Sequence, residues 1–125
     1  MTHLVFVYGT LKRGFGNHPL LHDSQYYGRA ITREGNFRMT GGGVPFLSRD
    51  ATGESAPAVG EVYSVDDDTL ARLDRLEGHP GWYTREQVEF LCNDEYVTAW
   101  VYLNPDGGTS YAKPLNEDGH YEHTR

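Results

Sequence analysis

The chain has 125 residues, with 11 lysines and arginines against 18 aspartates and glutamates, a formal charge of −7, and one cysteine. That length predicts one domain around one core, and the acidic balance argues against a nucleic-acid or anionic-membrane surface. Cys92 alone forms no internal disulfide, no apolar run approaches the roughly 18 residues of a membrane span, and no charged-then-apolar leader opens the sequence, so a soluble cytoplasmic protein is expected.

In chain order, residues 4–8 are an unbroken run of β-branched, aromatic and aliphatic side chains, the composition of a strand packed on both faces. Gly9, Gly14 and Gly16 follow at once, and a loop so rich in glycine can turn several N–H groups toward one point. Leu20 and Leu21 fit a brief helical turn, and residues 25–31 read as a second strand. Residues 32–57 are rich in glycine, proline and small polar residues, with Phe37, Val44, Phe46 and Leu47 as scattered anchors; irregular structure is expected there. Residues 58–65 read as a strand that leads into a helix over about 67–76. Asp66 is its N-cap, Asp67 and Asp68 favour the macrodipole of its first turn, and Leu70, Leu73 and Leu76 share one face. Gly78 marks its C-terminal cap, and Pro80-Gly81 prevents continuation.

Residues 83–90 and the stronger run 96–103 read as strands joined by a polar hairpin connection over 92–95. The tail after residue 104 has little apolar content, and fraying is expected unless its tyrosines and Leu115 pin it. Several strands with one or two short helices and no β-α-β alternation predict an α+β fold: a small, mainly antiparallel sheet, curled or closed into a barrel. One domain is expected to span 1–125.

Three readings compete for the opening loop. A phosphate loop has glycine spaced as Gly9 and Gly14 are, but Phe15 and Gly16 stand where its lysine and hydroxyl residue belong. A dinucleotide fingerprint continues into a last glycine and a helix, whereas Asn17-His18-Pro19 follows here. A tight turn at a strand end is the third. The residues Val5-Phe6-Val7-Tyr8-Gly9-Thr10-Leu11-Lys12-Arg13-Gly14, with Asn17-His18 after them, resemble the opening motif of the gamma-glutamylcyclotransferase superfamily, most of all its gamma-glutamylamine cyclotransferase branch. Gly60-Glu61-Val62-Tyr63-Ser64-Val65-Asp66, Leu70, Leu73-Asp74, Leu76-Glu77-Gly78, Tyr83 and Arg85 carry the second half of the likeness.

That resemblance implies a small mixed barrel with a pocket at one end, lined by the first loop and the helix terminus. It implies Glu77 as the catalytic acid/base and Tyr8, Gly9, Thr10 and Leu11 as the loop that holds the glutamyl moiety. The reaction it implies needs no cofactor: the α-amine of a γ-glutamyl amide attacks its own side-chain carbonyl, closes 5-oxoproline and expels the amine. A base must first take a proton from the α-ammonium group, and the same carboxyl can return it to the leaving nitrogen. The partner is thus a small γ-glutamyl amine, with γ-glutamyl-ε-lysine, another alkylamine or an aminoglycoside as candidates.

Position alone gives Glu77 two readings. A carboxylate at a helix C-terminus meets orphan carbonyls that disfavour it by about 0.3 to 1 kcal/mol at exposed sites, and partial burial raises its pKa toward what a proton shuttle needs. A solvated glutamate at a helix end is the other. Tyr83 is a candidate to orient the carboxylate or substrate, or a packed residue at a strand start. Tyr111 either folds over the pocket or anchors the tail, and Asn17 and His18 either meet the leaving group or brace the loop.

His18 and His22 are four apart and His120 and His123 three apart, but neither pair has a third ligand at metal-like spacing, so no metal is expected. No serine sits in a nucleophile elbow, Asp66-Asp67-Asp68 is explained by capping, and Cys92 has no base beside it. The alternative to an enzyme is a non-catalytic module that binds a small glutamyl metabolite in the same pocket.

Overall fold

The structure is a computed structural model that describes residues 1–41, 45–49, 55–104 and 112–124. The opening apolar run forms β1 (Thr2–Val7), and its two faces are both covered: Phe6 joins one core cluster, Val5 and Val7 another. A single 3-10 turn (His18–Leu21) leads to β2 (Gln25–Thr32). Next come β3 (Phe37–Thr40), β4 (Phe46–Arg49), β5 (Ala58–Asp66) and the helix α1 (Asp67–Glu77). After the helix lie β6 (Thr84–Cys92), β7 (Glu95–Leu103) and the short β8 (Tyr121–Glu122).

Five strands run in the order β1-β7-β6-β2-β5, and β5 pairs back to β1 from Thr2↔Asp66 to Val7↔Glu61, so the sheet closes on itself. The contact of β1 with β7 at Val5↔Trp100 is parallel and the remaining pairs within the ring are antiparallel, which makes a mixed barrel. Closure abolishes the edges a twisted five-stranded sheet would otherwise expose. It also brings β5 hard against β1. A Cβ on Gly60 would lie 2.3 Å from the Val7 carbonyl oxygen, so only glycine fits at that crossing.

The hairpin between β6 and β7 turns through Asn93 and Asp94, both at positive φ (53° and 64°), the primed turn that matches strand twist. Asp66 caps α1 by accepting from the Thr69 amide at 2.7 Å. Leu70 and Leu73 bury one face of the helix against Val5, Val7 and Tyr63. Leu76, expected on that same face, is instead 40% exposed and borders a cavity.

One region departs from the sequence reading, and a second decides between alternatives that reading leaves open. Within 32–57, expected to be irregular, β3 and β4 pair antiparallel from Phe37↔Arg49 to Thr40↔Phe46, and Phe37, Met39 and Leu47 are at most 1% exposed. Each strand is only four residues long, too short for alternation to stand out. Val44 lies outside the described residues. In the tail, where the sequence leaves both fraying and pinning by its tyrosines or Leu115 open, Tyr121 is 1% exposed and β8 runs parallel to β5 at Ala58 and Val59, so a tyrosine pins the described end of the tail, while Leu115 is 48% exposed.

Among the described residues, no helix is long and apolar enough to cross a membrane. Cys92 is buried, and burial raises its thiol pKa.

Candidate active site

Helix ends leave carbonyls without partners, and the way α1 resolves this builds the site. Gly78 sits in the left-handed region at φ 66°; its amide donates to the Arg75 carbonyl at 3.3 Å and the His79 amide to the Asp74 carbonyl at 2.9 Å, a Schellman pairing. The chain then folds back. The Trp82 amide donates to the Gly78 carbonyl at 2.9 Å and the Tyr83 amide to the Glu77 carbonyl at 3.2 Å. These bonds fix Trp82 and Tyr83 beside Glu77.

A cavity of about 160 Å³ opens there, lined by Tyr8, Gly9, Thr10, Leu11 and Asn17 from the first loop, by Leu76, Glu77, Trp82 and Tyr83 from the helix end, and by Pro45 and Tyr102. All six residues singled out in the sequence, Glu77, Tyr8, Gly9, Thr10, Leu11 and Tyr83, therefore meet in one place. The opening loop is tied down from behind. Asn17 donates from its amide to the Thr10 carbonyl and from Nδ2 to Thr10 Oγ1, both at 2.9 Å, and His18 Nδ1 lies 3.0 Å from the Leu11 carbonyl. Both residues brace the loop. Lys12, 7% exposed, donates from Nζ to the His123 carbonyl, which ties the loop to the tail. The amides of Gly9, Thr10 and Leu11 have no acceptor among the described residues.

Glu77 is half-buried, and burial pushes its carboxyl up to about 7. Desolvation penalises the charged form, and no cation or hydrogen-bond donor among the described residues offsets it. Its charge in turn helps to raise the phenol pKa values of Tyr8, Tyr83 and Tyr102, each of which is already raised chiefly by burial. Asp74, one turn earlier on α1, behaves in the opposite way. It accepts from Arg85 Nε at 2.8 Å and from the Tyr102 hydroxyl at 2.6 Å, and these bonds hold its pKa below the usual carboxylate value despite burial. Two carboxylates on one helix are thus driven apart: one ionised and paired, the other poised near neutrality. Such divergence marks acid/base sites.

Tyr102 is held at two points, its hydroxyl on Asp74 and its backbone carbonyl, which accepts the Tyr8 hydroxyl at 2.6 Å. Phe46 stacks on Tyr83 with ring planes 9° apart. Pro45, Trp82 and Tyr102 were not foreseen as lining residues. Trp82 follows Pro80-Gly81, which reads only as a helix stop, and Pro45 lies in a stretch without periodicity. Tyr111 lies outside the described residues. Among the described residues no group of three His, Cys, Asp or Glu side chains is placed to hold a metal ion; His22 Nδ1 lies 2.8 Å from the Pro19 carbonyl.

A family model described as "Gamma-glutamyl cyclotransferase, AIG2-like" matches residues 5–123. The "Putative gamma-glutamylcyclotransferase" of Methanocaldococcus jannaschii is 39% identical over 104 residues, 82% of this chain and 84% of that protein. The gamma-glutamylaminecyclotransferase of Rattus norvegicus is 37% identical over 97 residues, 71% of this chain and 63% of that protein. Among solved structures, a mouse AIG2-like protein superposes with a TM-score of 0.74 at 28% identity, covering 99% of this chain and 97% of that one.

Proposed function

The chain belongs to the gamma-glutamyl cyclotransferase, AIG2-like family, and from that membership we propose that it converts a γ-glutamyl amine to 5-oxoproline and the free amine, with Glu77 as general base and then general acid. The observation that carries this reading is the half-buried Glu77 carboxyl, at a pKa of about 7, in the cavity it shares with the Tyr8–Leu11 loop.

The chemistry follows from the groups at hand. At neutral pH about half of the Glu77 carboxyls are ionised and able to take a proton from the substrate's α-ammonium. The freed amine attacks the γ-carbonyl of the same molecule. A C–N bond forms, the carbonyl electrons move to oxygen, and the oxyanion and the substrate's α-carboxylate both call for fixed N–H donors. The uncommitted amides of Gly9, Thr10 and Leu11 are the supply nearest to hand. Collapse of the intermediate breaks the bond to the amine, the carboxylic acid of Glu77 protonates that nitrogen as it leaves, and the surplus proton of the attacking nitrogen passes to the departing amine, so 5-oxoproline and an ammonium ion are released with Glu77 ionised again. Nucleophile and electrophile belong to one molecule, so holding the cyclising conformer is the larger part of the task. Tyr83, with its amide on the Glu77 carbonyl, serves to position the carboxylate or the bound glutamyl group.

Incubating the purified chain with γ-glutamyl-ε-lysine and with γ-glutamyl amino acids, and assaying 5-oxoproline, tests this. Product from the amine conjugate, lost in Glu77→Gln with ligand binding retained, is expected. Binding without product from any γ-glutamyl amine would make the chain a non-catalytic module.

A further inference from the structure

Trp82 has an unusual setting. It is 56% exposed, although tryptophan normally buries most of its surface. It meets Tyr83 at 5.1 Å and Phe46 at 6.0 Å with the ring planes steeply inclined, contacts that leave more than half of its surface open to solvent. Three other rings of this protein are covered by a cation of the chain itself, although Tyr27, 39% exposed, has none among the described residues. Arg13 lies 4.0 Å over Tyr26, Arg33 lies 4.4 Å over Tyr96, and Arg85 lies 4.3 Å over Trp100. Among the described residues Trp82 has no such partner, and it is the one tryptophan that lines the cavity.

The charge around it points the same way. Among the described lining residues Glu77 is the only carboxylate and no lysine or arginine is present. A cation entering beside Trp82 meets an electron-rich ring face and a carboxylate; an anion there meets apolar walls and that same carboxylate.

Building on the cyclotransferase reading, we propose that Trp82 determines leaving-group specificity by receiving a second, distal cationic centre of the amine on its indole face. The preferred substrates are then γ-glutamyl conjugates of diamines and other polycationic amines. Once the γ-glutamyl end lies against the first loop and the leaving nitrogen lies at Glu77, the remaining alkyl chain runs past Leu76 toward Trp82. The apolar stem is matched by Leu76, 40% exposed, and the terminal ammonium by the ring.

The test compares γ-glutamyl-cadaverine with γ-glutamyl-n-hexylamine, in which a methyl group replaces the terminal ammonium. Binding is measured by calorimetry in the Glu77→Gln background, which removes turnover and the Glu77 charge, with and without Trp82→Ala or Trp82→Phe. Loss of the indole should weaken the cadaverine conjugate by about 3- to 30-fold, with Trp82→Phe in between, and change the hexylamine conjugate by less than about 2-fold. Equal losses for both ligands would reduce Trp82 to an apolar wall and overturn the proposal, as would no loss for either or binding of neither. Formation of 5-oxoproline by the unmutated chain is scored separately, so a failed cyclotransferase reading and a failed Trp82 reading give different patterns.

Discussion

Replacing Glu77 by glutamine should stabilise the fold above neutral pH while removing activity. Glutamine has the same shape and stays neutral, so the difference between the two proteins isolates the cost of ionising one carboxyl. In the unfolded chain this group titrates near 4.5, and in the folded chain near 7. Between those values the folded state binds more protons than the unfolded state, so the stability of the parent protein falls as pH rises through this window. The cost is absent below about pH 4.5 and complete above about pH 7.

At about 1.36 kcal/mol per pKa unit the ceiling is about 3 kcal/mol, and water in an open cavity lowers the working figure to about 2 kcal/mol. Urea unfolding of both proteins at intervals from pH 4 to pH 8.5 should show nearly equal stabilities at the acid end. At the alkaline end Glu77→Gln should lead by about 2 kcal/mol, or about 8 °C in Tm. Every other titrating group cancels in the difference. A gap that stays flat with pH, or one that favours the parent as pH rises, would show that the carboxyl is neither desolvated nor poised near neutrality.

The same titration has a kinetic face: kcat/KM for a γ-glutamyl amine should climb with pH on an ionisation near 7, and an acid limb near 4.5 would place the working carboxyl in water. Gly60→Ala should cost more than about 2 kcal/mol by denaturant unfolding, because its Cβ would stand 2.3 Å from a backbone oxygen that the closed barrel cannot move; a neutral result would mean that the β1–β5 crossing is looser than described. Tyr121→Ala should cost about 3 to 5 kcal/mol if the tail is part of the core, whereas a frayed tail would lose almost nothing. Millimolar 5-oxoproline should raise Tm, and inorganic phosphate at equal concentration should not.

What the sequence made legible follows the reach of each signal. The helix was plain because its signals are local and agree: Asp66 before it, three leucines at spacings of three, Gly78 after it. The structure runs it over Asp67–Glu77, one residue beyond the expected end. The β6–β7 hairpin was plain for the same reason. Barrel closure depends on Gly60 meeting Val7 across a gap of more than fifty residues, which no window along the chain can register. The hairpin of β3 and β4 escaped because glycine and proline around it carry the composition of a loop, while its burial comes from rings and aliphatic chains contributed by other strands. In the site, the loop and the carboxylate were legible as motifs. Trp82 and Pro45 were not: the local turn that folds Trp82 back onto Glu77 reads only as a helix stop, and Pro45 reaches the cavity by its tertiary contact with Gly9.

The end of α1 shows why a carboxylate can be kept at so unfavourable a position. The Schellman bonds at Gly78 and His79 occupy the carbonyls of Arg75 and Asp74, and the amides of Trp82 and Tyr83 occupy those of Gly78 and Glu77. Backbone donors thus occupy most of the carbonyls at the helix terminus, and the exposed Arg75, the basic residue of the last turn, does not offset the burial of Glu77. A cation beside Glu77 would pull its carboxyl down, as Arg85 does for Asp74 a turn away. The turn that seals the helix therefore leaves Glu77 uncompensated, and at a pKa of about 7 the carboxyl exchanges its proton with little bias in either direction. The stability lost above neutral pH and the capacity to move a proton are one property, so a variant that supplied a cation beside Glu77 should gain stability and lose turnover together.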